Sequence, residues 1–194
     1  MKALAAMAVP LDGPEHLTGL VEAARSGDLA AFEILMRRHE RLVVATALRL
    51  LGRMEDAQDA SQEVFLRLYR NLGKAAATEN LPGWLYRVTV NICHDFRRRH
   101  PERPTSGDLR ELVSPGADPL EAATDRERRR ALELSLRLLS EKERAALVLR
   151  DLEGLPTEQV AAILGTSQAT VRSQIFKARI KMKDFIERYF RRRT

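Results

Sequence analysis

Arg172, Ser173, Phe176 and Lys177 share one side of a helical wheel, and Gln168 stands one turn before them. Cations, a hydroxyl, an amide and an aromatic at this spacing suit contact with phosphates and base edges rather than the making of bonds. Around the wheel, Val171, Ile175, Ala178 and Met182 recur at the spacing of a buried helix face. Ser167 is placed to cap this helix and Gly165 to turn the chain before it. Ahead of the turn, Val160, Ala161, Ile163 and Leu164 form a short apolar stripe, and the small Ala161 leaves room for a close crossing. Leu155 to Arg179 therefore reads as a helix-turn-helix whose second helix is built for a DNA major groove. The alternative is an ordinary helical hairpin with solvated charges, and the agreement of turn, cap and face weighs against it.

A second polar set lies between Trp84 and His100. Arg87, Asn91, His94 with Asp95, and Arg98 recur three or four residues apart, away from the apolar stripe of Leu85, Val88, Ile92 and Phe96. Arg97, Arg98 and Arg99 collect at the end of this helix, where they complement its dipole and could neutralise phosphates. Taken alone, they fit a solvated helix end better. Trp84, the single tryptophan, is either a core anchor or a platform on which an unpaired base stacks.

Both sets need helices to position them, and helical periodicity runs almost throughout. The chain of 194 residues should be all-α: two small helical domains joined by a linker containing proline and glycine, with the helix-turn-helix in the second. The spacing predicts a helix over Leu17–Ser26. A second, capped by Asp28, runs to Leu51 before Gly52, and a third starts among Glu55 and Asp56 and ends at Gly73. After a loop from Lys74 to Gly83, a fourth covers Trp84 to His100. Residues 1–16 are expected to be a flexible N-terminus, 17–100 the first domain, 101–119 the linker and 120–194 the second domain. The linker holds four prolines and two glycines and little that could pack. Beyond it, helical pattern covers Leu120–Leu139, and Ser140 with Glu143 is a capping-box signature for a helix over Glu141–Leu152, closed by Gly154.

Composition excludes several classes. The formal net charge is +6, and from Arg172 onward nine lysines and arginines face only Asp184 and Glu187. That end is the expected electrostatic footprint. One cysteine, Cys93, permits no internal disulfide and reads as a small core residue beside the apolar face. His39 and His94 read as ordinary polar helix residues. No metal spacing, phosphate loop or nucleophile elbow accompanies them, so neither an enzyme nor a cofactor or metal is expected. The apolar run near Met1 is broken by Asp12, Gly13 and Pro14, so no membrane insertion is expected, and the cytoplasm is the expected location.

The order DLAAFEILMRRH, DAQDASQEVFLRLYRNL, WLYRVTVNICHDFRRR, linker, LSEKERAALVLRDLEGLPTEQVAAILGTSQATVRSQIFKAR resembles bacterial RNA polymerase sigma factors of the small extracytoplasmic-function class. The resemblance runs from about Ser26 to Phe190 and implies a specificity subunit of core RNA polymerase that directs promoter-specific initiation. It implies that Asp59, Gln62, Glu63 and Arg67 dock on the clamp helices of the largest subunit. It assigns the −10 element to Trp84, Arg87, Asn91, Asp95, Arg97, Arg98 and Arg99. The −35 element falls to Arg172, Ser173, Phe176 and Lys177, while Gln168 is placed for a base edge. An anti-sigma factor is an implied partner.

Three positions depart from the family pattern. The segment KAAATENLPG lacks the aromatic and basic residues common there, Gln174 stands where arginine is frequent, and Ala169 where glycine is. The second domain also resembles the DNA-binding part of response-regulator transcription factors. A receiver domain, however, would show alternating strands and helices before Pro101, and none is visible.

Overall fold

The computed structural model describes residues 14–76, 80–100 and 119–191. Residues 1–13 of the expected flexible N-terminus, 101–118 of the expected linker and the loop positions 77–79 lie outside the described residues, whereas residues 14–16 already belong to α1 and Pro119 to α6. Every regular element among those described is helical: α1 (Pro14–Arg25), α2 (Leu29–Leu51), α3 (Met54–Arg70), α4 (Leu72–Ala76), α5 (Leu81–Arg99), α6 (Pro119–Arg137), α7 (Glu141–Leu147), α8 (Thr157–Leu164) and α9 (Gln168–Arg191). A π-helical turn, Val148–Leu152, extends α7.

Local chemistry sets most of the boundaries. Asp28 Oδ1 accepts from the backbone N–H groups of Ala30 and Ala31 at 2.9 and 3.1 Å, starting α2, and Gly52 ends that helix at φ +80°. At α7 the capping box is complete: Ser140 Oγ accepts from Glu143 N, and the Glu143 carboxylate accepts from Ser140 N at 2.9 Å. Gly165 takes the left-handed conformation between α8 and α9, and Ser167 Oγ accepts from Thr170 N at 3.1 Å.

Several boundaries differ from expectation. α3 stops at Arg70 rather than Gly73, because Asn71 caps it with Nδ2 on the Arg67 carbonyl at 2.9 Å. The short helix α4, Leu72–Ala76, takes up the expected end of the third helix and the first three residues of the expected loop. α5 begins at Leu81 rather than Trp84: Asn80 Oδ1 accepts from Gly83 N at 2.9 Å, and Pro82 sits in the first turn, where its missing N–H costs nothing. The expected helix to Leu152 is α-helical only to Leu147, its last five residues widening into the π turn.

α2, α3 and α5 pack together, with α1 and α4 against one end; α9 runs along α6, α7 and α8. Leu35, Val43, Leu48, Val64, Leu68, Leu85 and Ile92 are fully buried in the N-terminal half. Among the described residues one apolar cluster spans both halves. Ala145, Val148, Leu149, Val160, Val171 and Ile175 belong to the same apolar cluster as those residues, and a smaller cluster gathers Leu136, Leu139, Leu147, Ala178 and Met182 between α6, α7 and α9.

Candidate nucleic-acid interface

The helix-turn-helix presents the expected face. Val171, Ile175, Ala178 and Met182 are buried, which turns Gln168, Arg172, Ser173, Phe176 and Lys177 outward. Phe176 is 67% exposed, an unusual position for a phenyl ring. Arg172 donates to Gln168 Oε1 at 3.1 Å, so the amide and guanidinium are held side by side at the start of α9, where a groove-entering helix meets base edges. Gln174 is not part of this face: its Oε1 is buried and finds no hydrogen-bond partner among the described residues.

The cationic end is less open than its sequence suggests. Arg179 makes a two-pronged ion pair with Asp151 at 2.9 and 2.8 Å, and Lys181 holds Glu143 at 2.9 and 2.8 Å. These side chains fasten α9 to the α7 region instead of facing a ligand. The arginine is held above its ordinary pKa by Asp151, through the hydrogen bond first and the charge second. Glu143 is held below the carboxylate range: burial opposes this, but Lys181 and the Ser140 cap outweigh it. The outward cations that remain on the recognition face are Arg172 and Lys177.

On α5 the expected polar face is only partly open. Asn91 and Arg98 are exposed; Asp95 is half-buried and accepts from Arg98 at 3.0 Å, and its carbonyl accepts from Arg99 Nε at 3.3 Å. Arg97 is half-buried. Arg87 donates to the carbonyl of Ala162 on α8, across to the other half of the chain. His94 is half-buried with Nε2 unpartnered among the described residues. Trp84 is half-buried and packs against the core, in line with the anchor reading. Cys93 is 1% exposed and burial pushes its thiol well above the ordinary range, so it is an inert core residue.

The third set lies on α3. Asp59 and Gln62 are exposed, and Glu63 accepts from Arg67 at 2.9 Å, both half-buried. Gln62 borders a groove of about 600 Å³ between α2 and α3, floored by Phe32, Met36 and Phe65 and edged by Gln58, Leu66 and Tyr69. Leu66 is 49% exposed and Tyr69 47%, and the ring of Tyr69 meets Phe32 edge-on at 5.1 Å. Sequence reasoning missed these two. The available signal was an apolar pair three residues apart lying off the inward stripe of α3, one turn beyond Gln62.

Helices throughout the described residues, with a capped, outward-facing recognition helix at the C-terminal end, define the class of a helix-turn-helix DNA-binding protein. Residues 35–102 match the family described as Sigma-70 region 2, and residues 129–182 match Sigma-70, region 4. The ECF RNA polymerase sigma-E factor of Escherichia coli K12 is 32% identical over 190 residues, covering 92% of this chain and 99% of that one. The RNA polymerase sigma-H factor of Pseudomonas aeruginosa is 31% identical over 178 residues, covering 82% and 88%. Among solved structures, CnrH in complex with the cytosolic domain of CnrY is 25% identical, with a TM-score of 0.64 and coverage of 88% of this chain and 96% of that one. The chain belongs to the ECF RNA polymerase sigma factors. It directs RNA polymerase to promoters, and the free-standing response-regulator alternative is not favoured. Sigma factors are non-catalytic regulatory subunits, and no described helix is long and apolar enough to cross a membrane.

Proposed function

We propose that the chain divides its work between a polymerase-docking and −10-reading domain over 17–100 and a −35-reading domain over 120–194, joined by the linker 101–119. The clamp helices of the polymerase's largest subunit dock on α3 through Asp59, Gln62, Glu63 and Arg67, with Leu66 and Tyr69 supplying the apolar edge of the α2–α3 groove. Trp84, Arg87, Asn91, Asp95 and Arg97 to Arg99 read and help open the −10 element. Gln168, Arg172, Ser173, Phe176 and Lys177 take the −35 element. The observation that carries this division is the outward face of α9, where Arg172 is paired with Gln168 and Phe176 stands 67% exposed beside Lys177.

The mechanism is binding without bond-making. Two modest DNA contacts tethered through one chain and one polymerase gain from effective concentration, so that neither domain has to hold a promoter alone. Phosphate contacts set register, and base-edge contacts select sequence. The work takes place in the cytoplasm, where the polymerase and its DNA are. CnrH was solved in complex with the cytosolic domain of CnrY, and a protein partner of this chain, an anti-sigma factor, belongs to the same reading.

In vitro transcription with core polymerase on a panel of candidate promoters tests the reading. Promoter-specific transcripts that depend on this chain are expected. If the purified chain bound duplex DNA specifically by itself yet never supported initiation with core enzyme, the regulator reading would replace this one.

A further inference from the structure

α9 carries an apolar ridge along the middle of its outward face. Phe176 is 67% exposed and Ile180 44%, one helical turn apart. Both stand opposite the buried stripe of Val171, Ile175, Ala178 and Met182. Ala169 and Ser173, also exposed, continue the row toward the start of the helix, since positions 169, 173, 176 and 180 share one line on the wheel. Arg172 flanks this row on one side and Lys177 on the other. Ile180 belongs to neither apolar cluster of the described residues. Its neighbours in sequence are fastened down, Arg179 to Asp151 at 2.9 Å and Lys181 to Glu143 at 2.9 Å, which fixes the rotation of the helix and keeps Ile180 turned outward.

A helix lying in a major groove about 12 Å wide meets base edges along its centre line and phosphates along its flanks. α9 matches that division, with cations at the flanks and mostly carbon on the centre line. Base edges in this groove present donors and acceptors almost everywhere and one apolar group, the C5-methyl of thymine. A donor or acceptor pressed against a phenyl or aliphatic side chain loses its water and gains no partner, so such side chains favour thymine over the other bases. One helical turn rises about 5.4 Å, which spans between one and two base steps of about 3.4 Å. Hydrogen-bond readout falls to the edge of the same face, where Arg172 donates to Gln168 Oε1 at 3.1 Å.

We propose that Ile180 is a specificity-determining residue of the recognition helix and that, with Phe176, it selects thymines one or two base pairs apart by contact with their methyl groups. The inference rests on the −35 assignment of α9 and adds to it a residue and a chemistry. The occupant of the ridge is DNA rather than a second protein, because the ridge is continuous with the recognition face and cations border it on both flanks, as the two phosphate walls of a groove require.

The test uses the full chain with core polymerase and a promoter that the pair transcribes. Each thymine of the −35 element, on either strand, is replaced in turn by deoxyuridine, which removes the methyl and nothing else. At two positions the native chain is expected to bind about threefold to fivefold more weakly. Ile180→Ala should erase the penalty at one of them and leave it at the other, where Phe176→Ala erases it. Both side chains are exposed, and circular dichroism checks that the helices persist in the variants. Uridine tolerated at every position would overturn the proposal, as would an Ile180→Ala chain that keeps every penalty; if that chain also binds all the promoters more weakly, Ile180 faces a protein instead. Failure of the −35 assignment reads differently: scrambling the whole element would then leave binding unchanged, and the two readings fall together.

Discussion

Nη1 of Arg144, in the C-terminal half, donates to the carbonyl oxygen of Leu50 at 2.9 Å, closing the last turn of a helix in the other half. The same guanidinium donates through Nε to the Leu136 carbonyl at 3.0 Å, and the side chain is 2% exposed. Carbonyls in a final helical turn have no partner within their own helix, so one buried arginine completes α2 and the end of α6 together. Desolvation, with the charge of Arg97 second, brings its pKa down to about 10, which still leaves it charged at neutral pH.

Arg144→Ala should lower the free energy of unfolding by about 3 kcal/mol, since it empties a buried volume, removes the side-chain donor of the Leu50 carbonyl and leaves the Leu136 carbonyl only the Leu139 N–H at 3.3 Å. Arg144→Lys should recover only part of this, because a single ammonium lacks the fork that spans both acceptors. Urea denaturation of the three proteins measures the series. A loss below about 1 kcal/mol for the alanine variant would show that water replaces the guanidinium without penalty.

His39 predicts a pH dependence. It is 5% exposed, its Nδ1 lies 2.9 Å from the Leu35 carbonyl, and burial holds its pKa below 6.5. Above pH 6.5 the ring is neutral in both folded and unfolded chains and this site contributes its full stability. As pH falls through 6.5 the unfolded chain takes up the proton first, so stability declines toward the lower, folded pKa. Urea midpoints between pH 5 and 7.5 should fall more steeply for the native chain than for His39→Gln; parallel curves would remove His39 as the cause.

The division of DNA reading is tested by Lys177→Ala and Asn91→Ala, both at exposed positions. The lysine variant should weaken binding at −35-dependent promoters and reduce the salt slope by about 1. The asparagine variant should leave initial complexes nearly intact and slow the appearance of permanganate-reactive thymines at −10. The same defect from both would argue against separate tasks.

Polymerase docking should depend on the α2–α3 groove. Leu66→Glu places a charge on its apolar edge at a position 49% exposed, so folding should be unaffected while affinity for core enzyme falls about tenfold or more. Titration of labelled chain with core polymerase gives the comparison. Unchanged affinity would place the docking surface elsewhere on α3.

Much of the fold is legible locally. The caps at Asp28, Ser140 and Ser167, the turn glycines Gly52 and Gly165, and the buried stripe of α9 are all where residue type and spacing place them. Misses occurred where two signals compete over a few residues. Asn71 ends α3 before Gly73 does, and Asn80 with Pro82 starts α5 three residues before the tryptophan that draws the eye. The single stripe read on α5 is incomplete, because Tyr86, Val90 and Cys93 are buried as well as Leu85 and Ile92. A helix covered on two sides carries two overlapping periodicities, and only the more apolar one stands out.

Interactions between residues three or four apart follow from composition alone, because the helix sets their geometry before anything else packs. That is why the helix-turn-helix, its outward residues and the family motifs could be read from the chain. The meeting of Glu153 with Thr46, 107 residues away, and with Tyr86, 67 residues away, has no such local rule. In the sequence Glu153 is one more charge near a turn and Arg144 one more cation on a helix. Only the docking of α7 and its π turn beside α2 and α5 turns the first into a shared acceptor and the second into a buried cap, since both depend on distances that no local spacing specifies.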